Sequence, residues 1–322
     1  MVIRGGVTYA VNSFAEDVRD GLGRSGQKAL PSKYLYDDVG SALFEVITKL
    51  PEYGLTRAEE RILGRHSEAI AERLASHGIV VELGSGSGRK TRGILQALAH
   101  HQPTTYCPIE ISSTALESCE RELDDLPQVS ILGFETEYLD GLSRAVARRG
   151  LGERVVVLFL GSSIGNFDRE PGEDFLRKIR EALEPGDALL LGTDLEKPLA
   201  QLIPAYDDSL GVTAVFNSNL LARINRELGG DFDLSRFEHV ALYNARERRI
   251  EMHLRSIESQ TVSIEGANFR TTLERDETIW TESCHKYGRH EAPEMAERTG
   301  FECVAQWVDN EWAFAENLFI AV

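Results

Sequence analysis

Apolar runs alternate with helical stretches through the middle of the chain. Runs rich in Val, Ile and Leu occur at residues 79–83, 106–111, 129–134, 154–160 and 188–191. The intervening stretches carry apolar side chains at three- and four-residue spacing, at residues 90–99, 113–123, 138–149 and 168–183. Continuous apolar strands that alternate with amphipathic helices are typical of a parallel sheet covered on both faces. The pattern therefore predicts an α/β fold with a doubly wound, mostly parallel sheet.

A further unit of this pattern lies at the C-terminal end of the chain. Residues 291–297 follow a helical pattern, and Pro293 suits a first helical turn. Two β-like runs follow at residues 302–309 and 312–322, joined by a short turn at Asp309 and Asn310. Strands joined by so short a turn pair as a hairpin. We therefore expect an antiparallel strand at the C-terminal edge of the sheet.

The remaining residues precede or interrupt the alternating pattern. Residues 198–228 follow a mostly helical pattern, whereas residues 249–257 and 259–264 alternate between apolar and polar positions. Alternation predicts antiparallel strands with one exposed face. We predict one domain from residues 56–196 and 286–322, and a second, inserted α+β domain from residues 1–55 and 197–285.

Composition and charge restrict the class of partner. The 322 residues carry a net charge of −17, which would repel the phosphates of nucleic acids and anionic membranes. We therefore expect a small-molecule substrate, with no nucleic acid and no membrane as partner. No run approaches the roughly 20 apolar residues of a membrane span, and no leader pattern precedes the first element, which predicts a cytoplasmic protein. Neither the four cysteines nor the eight histidines have metal-ligand spacing, and no pattern indicates assembly, so a monomer is compatible with the sequence.

The loop after the first apolar run carries alternating glycines. The run IVVEL contains Glu82 and is followed by Gly84, Gly86 and Gly88, in the spacing G-x-G-x-G. A dinucleotide-binding loop would place its third glycine at position 89, where this chain has Arg89. Glycines allow a tight turn and close approach of the backbone to a ligand. The loop resembles motif I of class I S-adenosylmethionine-dependent methyltransferases, while a nucleotide site and a structural turn remain alternatives.

Four residues near the predicted strand ends are candidates for binding such a donor. Glu110 could accept hydrogen bonds from two ribose hydroxyls, as an acid does in nucleotide-binding folds. Glu137 could bind the adenine amino group, and Tyr138 could cover the adenine ring. Lys90 could neutralise a carboxylate of the donor. The alternatives are a solvated strand-end acid at 110, an ordinary helix N-terminus at 137 and 138, and a solvated lysine in a first helical turn at 90.

Two further segments carry candidate substrate contacts. The run LFLGSSIGNF leaves space at Gly161, and the amide of Asn166 could hold a carboxylate without adding charge. Its alternative is a turn in which the asparagine is left-handed. Tyr36, Phe44 and Tyr53 precede the sheet; they could form the core of an amphipathic helix, or they could stabilise a methylated ammonium by cation–π attraction.

Several segments, taken together and in order, allow a family to be named. From about residue 30 to the C-terminus the chain closely resembles the histidine Nα-methyltransferase family of ergothioneine biosynthesis, in the segments KYLYDDVGSALFEVITKLPEYGLTRAE, VELGSGSGRKT, FLGSSIGNF, AYDDSLGVTAVFNSNLL, RIEMHL and TESCHKY. The resemblance implies trimethylation of L-histidine to hercynine by three molecules of S-adenosylmethionine, which leave as S-adenosylhomocysteine. It also implies a Rossmann-like domain with an inserted substrate domain.

The resemblance implies a role for each matching residue. For the histidine it implies a carboxylate site at Asn166 and Tyr206 lined by Gly161, an amine site at Tyr36 and Phe44, and an imidazole site at Tyr53, Met252, Glu282 and Cys284. Tyr36 is the candidate for orienting the amine and relaying its proton. For the donor it implies Gly84, Gly86, Lys90, Glu110, Glu137 and Tyr138. Glu110 and Glu137 stand where relatives often have aspartate.

One position departs from the family pattern. The segment TESCHK puts Cys284 where the family commonly has serine, with Ser283 one position earlier. Because a thiol is a weaker hydrogen-bond donor than a hydroxyl, either Glu282 alone holds the imidazole or Ser283 reaches in through a local shift. Three other functions remain as alternatives: a methyltransferase acting on another amino acid, such as a tryptophan derivative, a nicotinamide-dependent reductase, and a donor-binding module without turnover.

Overall fold

The computed structural model describes residues 2–3, 11–74 and 76–322, and it divides the chain into two compact units. The first unit contains Leu55–Glu196 and Lys286–Val322 together with the first strand. The second contains residues 11–54 and Lys197–His285. The chain therefore enters each unit more than once. The roles assigned to the two domains, donor binding and substrate binding, remain predictions.

Fifteen strands are formed by the described residues. In chain order they are β1 (Val2–Ile3), β2 (Lys28–Ala29), β3 (Ile79–Leu83), β4 (Thr104–Glu110), β5 (Val129–Ile131), β6 (Gly133–Glu135), β7 (Val155–Phe159), β8 (Ala188–Asp194), β9 (Phe237–Asn244), β10 (Arg249–Ser256), β11 (Gln260–Ile264), β12 (Phe269–Leu273), β13 (Thr278–His285), β14 (Phe301–Asp309) and β15 (Phe314–Ala321).

Ten α-helices accompany these strands in the described part of the chain. They are α1 (Val11–Leu22), α2 (Asp38–Ile47), α3 (Gly54–Arg73), α4 (Arg92–His101), α5 (Ser113–Leu123), α6 (Tyr138–Val146), α7 (Arg169–Ala182), α8 (Leu199–Leu202), α9 (Val212–Leu228) and α10 (Glu291–Arg298). No helix of this part is long and apolar enough to cross a membrane.

The sheet of the first unit has nine strands and confirms the predicted α/β fold. Its order is β1, β6, β4, β3, β7, β8, β15 and β14, with β5 also paired to β4. The strands from β6 to β8 are parallel. The run at 129–134, predicted as one strand, forms two, because β5 pairs with the start of β4 and β6 pairs with its end.

The predicted C-terminal antiparallel hairpin is confirmed, but its antiparallel strand lies one position in from the edge of the sheet. β15 lies inside the sheet, antiparallel to both β8 and β14, so β14 is the edge strand and the antiparallel strand is next to the edge. Nearly every residue of β15 is buried, whereas β14 has mostly half-buried or exposed residues. The more apolar strand therefore takes the position with neighbours on both sides.

Alternate residues of the central strands build two apolar layers. Val81, Val157 and Leu191 belong to the layer on one face, and Val80 and Val156 belong to the layer on the other. All five are fully buried. This packing fixes the strand ends from which the candidate donor residues follow.

The second unit contains a four-stranded sheet in the order β2, β13, β10 and β9, together with the hairpin of β11 and β12. β10 pairs antiparallel with β9 and with β13. Residues 250–254 of β10 are all buried, so the exposed face expected for 249–257 is wrong: both faces of this strand are covered. The stretch predicted as mostly helical, 198–228, forms α8 and α9 with a break before Val212.

Candidate active site

The three alternating glycines after β3 serve different purposes. Gly84, Gly86 and Gly88 all have positive φ, at 75°, 51° and 72°, which favours glycine at each position. A Cβ on Gly88 would lie 2.6 Å from Sγ of Cys119, and one on Gly84 would lie 2.9 Å from the hydroxyl of Tyr138. No atom lies within 4 Å of the corresponding point on Gly86. Gly88 is thus needed for packing on α5, while the backbone at Gly86 faces open space that a ligand can enter.

Glu110 is held against this loop. It ends β4, and its carboxylate accepts hydrogen bonds from the backbone N–H of Gly86 at 3.2 Å and of Ile111 at 2.9 Å. Burial raises the pKa of Glu110, although these N–H groups counteract the rise. Glu110 is therefore not a freely solvated strand-end acid. A carboxylate fixed in this way has lone pairs left for two hydroxyl groups, so the residues present fit the ribose of a donor.

Of the two candidate residues at the start of α6, Glu137 and Tyr138, only Tyr138 is seen to lie beside the glycine loop. The Tyr138 hydroxyl is close to Gly84, and its ring packs edge-on against Phe159, with the ring centroids 5.8 Å apart. Glu137 is the exposed N-cap residue of α6, and its side chain makes no capping hydrogen bond. Tyr138 is thus placed beside the glycine loop, while the contact of Glu137 with a donor remains a prediction.

Lys90 lies in the turn before α4, so it is not in the first turn of a helix as the sequence pattern suggested. Its ammonium forms an ion pair with Glu59 of α3, a side chain with no exposed surface. Burial lowers the pKa of Lys90, but the charge and hydrogen bond of Glu59 outweigh that effect and raise it overall. The other oxygen of Glu59 accepts the backbone N–H of Gly161. Glu59 thus connects two candidate residues of the first unit.

The sequence analysis missed Glu59. Its neighbours Leu55, Ala58 and Ile62 are buried on the same face of α3, so Glu59 occupies a position in an apolar stripe. A charged residue at such a position is unusual, and this pattern is visible in the sequence.

The turn after β7 places Gly161 and Asn166 close together in the chain. Gly161 has a φ of 70°, and Ser162 is left-handed with a φ of 56°. A short 3-10 helix follows, Ser163–Asn166, and ends at the half-buried asparagine. Asn166 itself is not left-handed, so that alternative for it is wrong; Ser162 takes that conformation. The Ser162 hydroxyl accepts the backbone N–H of Asp194, which ties the turn to β8.

In the second unit, five aromatic rings form a continuous cluster. Ring centroids are 5.6 Å apart for Tyr36 and Phe44, 6.1 Å for Phe44 and Tyr53, and 6.3 Å for Tyr53 and Tyr206. Phe216, which the sequence analysis did not select, lies 5.5 Å from Tyr36 and 6.1 Å from Phe44. Because these residues belong to separate elements, the interpretation of three of them as the core of one amphipathic helix is wrong.

Polar side chains of β13 contact two of these rings. Tyr36 donates its hydroxyl to Oε1 of Glu282 at 3.2 Å, and Tyr206 donates its hydroxyl to Sγ of Cys284 at 2.8 Å. Residues 282 and 284 share one face of the strand because side chains alternate. Ser283 faces the opposite side, so it cannot replace Cys284 without a change of register.

Met252 of β10 is paired with Glu282 across the sheet and is buried. The second unit therefore brings together Tyr36, Phe44, Tyr53, Tyr206, Met252, Glu282 and Cys284, in a cluster of rings with one carboxylate, one thiol and hydroxyl groups. Among the described residues, no group of three or more His, Cys, Asp or Glu side chains is arranged to hold a metal ion.

The chain has close relatives of known activity. A family model described as histidine-specific methyltransferase, SAM-dependent, matches residues 14–321. A histidine N-alpha-methyltransferase of Mycolicibacterium smegmatis is 40% identical over 316 residues, covering 97% of this chain and 96% of that protein. One of Mycobacterium tuberculosis is 39% identical over 94% of this chain and 93% of its own length. The ergothioneine biosynthesis protein 1 of Neurospora crassa is 30% identical over 88% of this chain and 32% of its length.

Proposed function

The chain belongs to the family of histidine-specific, S-adenosylmethionine-dependent methyltransferases, and we propose that it methylates the α-amino nitrogen of L-histidine three times to give hercynine, the first step of ergothioneine biosynthesis. The match of the family model to residues 14–321 carries this proposal. The placement of Glu282 among aromatic rings supports histidine as the substrate, because a carboxylate accepts the N–H groups of an imidazole.

The donor is assigned to residues of the first unit. S-adenosylmethionine supplies an electrophilic methyl group on a sulfonium ion. Glu110 accepts hydrogen bonds from the ribose hydroxyls. The open space beside Gly86 lets the donor approach the backbone. Lys90 has ammonium hydrogens left after pairing with Glu59 and holds the donor carboxylate. Gly84, Glu137 and Tyr138 complete the set, with the last two at the adenine.

The substrate is held at its two ends. By the family resemblance, we assign the α-carboxylate to Asn166 and Gly161 of the first unit and to Tyr206 of the second. The imidazole is bound by Tyr53, Met252, Glu282 and Cys284. After each of the first two transfers the methylated ammonium must lose a proton to regenerate its lone pair. Holding both ends leaves the amine free to rotate, which turns that lone pair toward the next donor. Positioning of the amine and exclusion of water then account for most of the rate enhancement.

Tyr36 orients the amine. Its hydroxyl donates to Glu282, and a phenol oxygen can also accept a hydrogen bond, here from an N–H of the amine. A tyrosine with an ordinary pKa near 10 is a poor base at neutral pH, so Tyr36 fixes direction while water accepts the proton. The rings of Phe44 and Phe216 lie beside Tyr36, and ring faces stabilise a methylated ammonium by about 0.5–2 kcal/mol.

A tryptophan derivative is the alternative substrate. The thiol of Cys284 is a weaker partner for an imidazole than the serine of relatives, which is the observation that keeps this alternative open. A neutral indole offers Glu282 one N–H, however, whereas an imidazolium offers two donors. The carboxylate therefore favours histidine.

The proposal is tested by comparing substrates on two matched variants. Release of S-adenosylhomocysteine is measured with L-histidine and with L-tryptophan. We expect turnover with histidine, and a kcat/KM lowered about 10- to 100-fold in Glu282→Gln, because a hydrogen bond to a charged group is lost. Glu251→Gln is the control, since Glu251 is a buried carboxylate on the neighbouring strand paired with Ser283, on the opposite face. Faster turnover of tryptophan than of histidine would refute the proposal.

We further propose that the enzyme acts in the cytoplasm on a free small molecule, without nucleic acid or membrane as partner. All four cysteines are free thiols, which is compatible with a reducing compartment.

A further inference from the structure

A buried group of carboxylates lies next to Lys90 in the first unit. Glu59 on α3 and Glu316 on β15 have no exposed surface, and Glu82 at the end of β3 is 1% exposed. An isolated buried carboxylate is costly to ionise, so each needs a cation, hydrogen-bond donors or a proton. Lys90 forms an ion pair with Glu59 and thereby compensates one charge. The remaining two carboxylates need another explanation.

Two of the three carboxylates have donors. Glu59 accepts from Lys90 on one oxygen and from the Gly161 N–H on the other. Glu82 accepts the Thr91 hydroxyl on both oxygens, at 2.7 and 2.8 Å, and also the hydroxyl of Tyr106. Both side chains therefore have donors that favour the charged form, although burial opposes it.

Glu316 differs from them. Neither of its oxygens has a hydrogen-bond partner among the described residues, although both are fully buried. It faces Glu59 over Gly192: a Cβ at position 192 would lie 3.0 Å from Oε1 of Glu59 and 3.2 Å from Oε1 of Glu316. Two ionised carboxylates would repel each other here, whereas a protonated one has an O–H that the other can accept.

We propose that Glu316 is a positioning residue that keeps its proton and donates it to Glu59, and that this acid pair holds Lys90 and the Gly161 N–H in place. The roles of Lys90 and Gly161 in the site rest on the proposed function. Glu316 itself touches neither the donor nor the histidine. It acts through Glu59: the O–H of Glu316 gives the Glu59 carboxylate a hydrogen bond in addition to those from Lys90 and the Gly161 N–H, and so fixes its position.

The electrostatics agree with this geometry. Burial and the neighbouring Glu59 hold the pKa of Glu316 well above its usual range, and the charge of Glu82 on β3 adds to the rise. Lys90 counteracts it only in part. At alkaline pH the proton of Glu316 is lost, so a second negative charge faces Glu59 and displaces it from Lys90.

The test is the affinity of the full chain for S-adenosylhomocysteine, measured by isothermal titration calorimetry from about pH 6.5 to about pH 9. Glu316→Leu has no O–H for Glu59, and we expect it to raise Kd about tenfold relative to the wild type at neutral pH. Glu316→Gln carries an amide N–H that replaces the proton, so we expect a Kd within about twofold of the wild type at neutral pH. We also expect it to lose the alkaline rise in Kd that the wild type shows. The ligand's own amine titrates alike in all variants, so the comparison between variants isolates Glu316.

A Gln variant as weak as the Leu variant, or one that keeps the alkaline rise, would overturn the proposal. Lys90→Met is measured alongside to separate the two levels of the argument. If it binds S-adenosylhomocysteine as tightly as the wild type, the donor role of Lys90 is wrong and the acid pair loses its purpose. If Lys90→Met binds weakly and Glu316→Gln binds as weakly as Glu316→Leu, the donor role of Lys90 is supported and only the proposed acid pair is wrong. Since Gln has the shape of protonated Glu, the comparison holds even where the Leu variant folds poorly.

Discussion

Single hydrogen bonds define the chemistry of the candidate site. Tyr36 donates its hydroxyl to Glu282 and Tyr206 donates its hydroxyl to Cys284, and a phenol oxygen can accept a hydrogen bond as well as donate one. The direction of donation matters here, because a tyrosine that donates to a buried carboxylate can accept an N–H from the substrate amine. In the proposed site, these hydrogen bonds therefore decide which substrate atoms are fixed and which can rotate.

Removal of the Asn166 amide should weaken substrate binding. We expect Asn166→Ala to raise the KM for histidine roughly 10- to 100-fold with a smaller change in kcat, because the substrate carboxylate is held equally before and during methyl transfer. Steady-state kinetics with varied histidine check this. An unchanged KM with only kcat reduced would contradict the assignment of Asn166 to substrate binding.

Restoration of the family serine at 284 should strengthen substrate binding. A serine hydroxyl is a better hydrogen-bond partner than a thiol, so we expect Cys284→Ser to lower the KM for histidine by up to about tenfold. Cys303→Ser is the control, since Cys303 lies in the first unit and contacts the backbone oxygen of Ala305. A KM raised by the serine would mean that Cys284 contributes by packing against the ring.

The buried Glu82 should make stability depend on pH. Desolvation raises its pKa to about 7, against 4.5 for an ordinary glutamate, despite the hydroxyls of Tyr106 and Thr91. The folded protein thus keeps a proton that the unfolded chain loses above about pH 4.5, and stability falls as pH rises through about 7. Relative to Glu82→Gln, we expect the wild type to lose about 3 kcal/mol of unfolding free energy between about pH 4.5 and pH 8.

Denaturant unfolding of the wild type and Glu82→Gln across this range checks the prediction. A difference between the two proteins that does not change with pH would show that Glu82 is ionised in the folded state throughout.

At the scale of elements, the glycine loop and the strand order place the candidate residues. The loop turns three times through left-handed conformations, and α5 packs closely behind it at Gly88. Glu110 then closes the gap between β4 and the loop through the N–H of Gly86. The donor residues therefore depend on backbone geometry as much as on their own side chains.

A matched pair of glycines separates the cost of backbone conformation from the cost of packing. Gly152 has a φ of 77° with no atom near its missing Cβ, whereas the Cβ of Gly88→Ala would meet Cys119 at 2.6 Å. We expect Gly152→Ala to cost about 1 kcal/mol of unfolding free energy. Gly88→Ala should cost about 1–3 kcal/mol more, because the core must move. Equal costs would show that α5 yields easily to the added methyl group.

The sequence predicted the elements better than their arrangement. Periodicity identified the βα units because the runs that form β3, β7 and β8 are buried on both faces of the sheet. It did not show that β15 lies between β8 and β14, because the order of the two hairpin strands depends on which of them buries more surface against β8. Nor did it show that residues 129–134 divide into two strands, since that division depends on pairing with β4.

The site residues were likewise predicted only in part. Family resemblance supplied the residues that would touch ligands, such as Glu110 and Glu282. It supplied neither Glu59 nor Glu316, which lie behind the site on α3 and β15 and act through other side chains. Phe216 was missed because a phenylalanine in an apolar helix pattern looks like any core residue. Contacts between distant parts of the chain decide such roles, and periodicity does not record them.

At the scale of the whole molecule, the chain combines two compact units, and their proposed roles differ. The first holds the glycine loop and the proposed donor residues on a parallel sheet, and the second holds the aromatic cluster with Glu282. Three successive methylations require a new donor molecule for each transfer, and the enzyme must bind the amino acid although its amine changes each time. Recognition of the carboxylate and the imidazole, which do not change during the reaction, meets that requirement.

Conversion of free L-histidine to its Nα-trimethylated product is tested by mass spectrometry of L-histidine incubated with the protein and S-adenosylmethionine over time. We expect products carrying one, two and three added methyl groups, with the trimethylated species accumulating at the end and fragmentation placing all three on the α-nitrogen. Methylation on the imidazole ring, or no methylation of histidine while tryptophan is methylated, would contradict it.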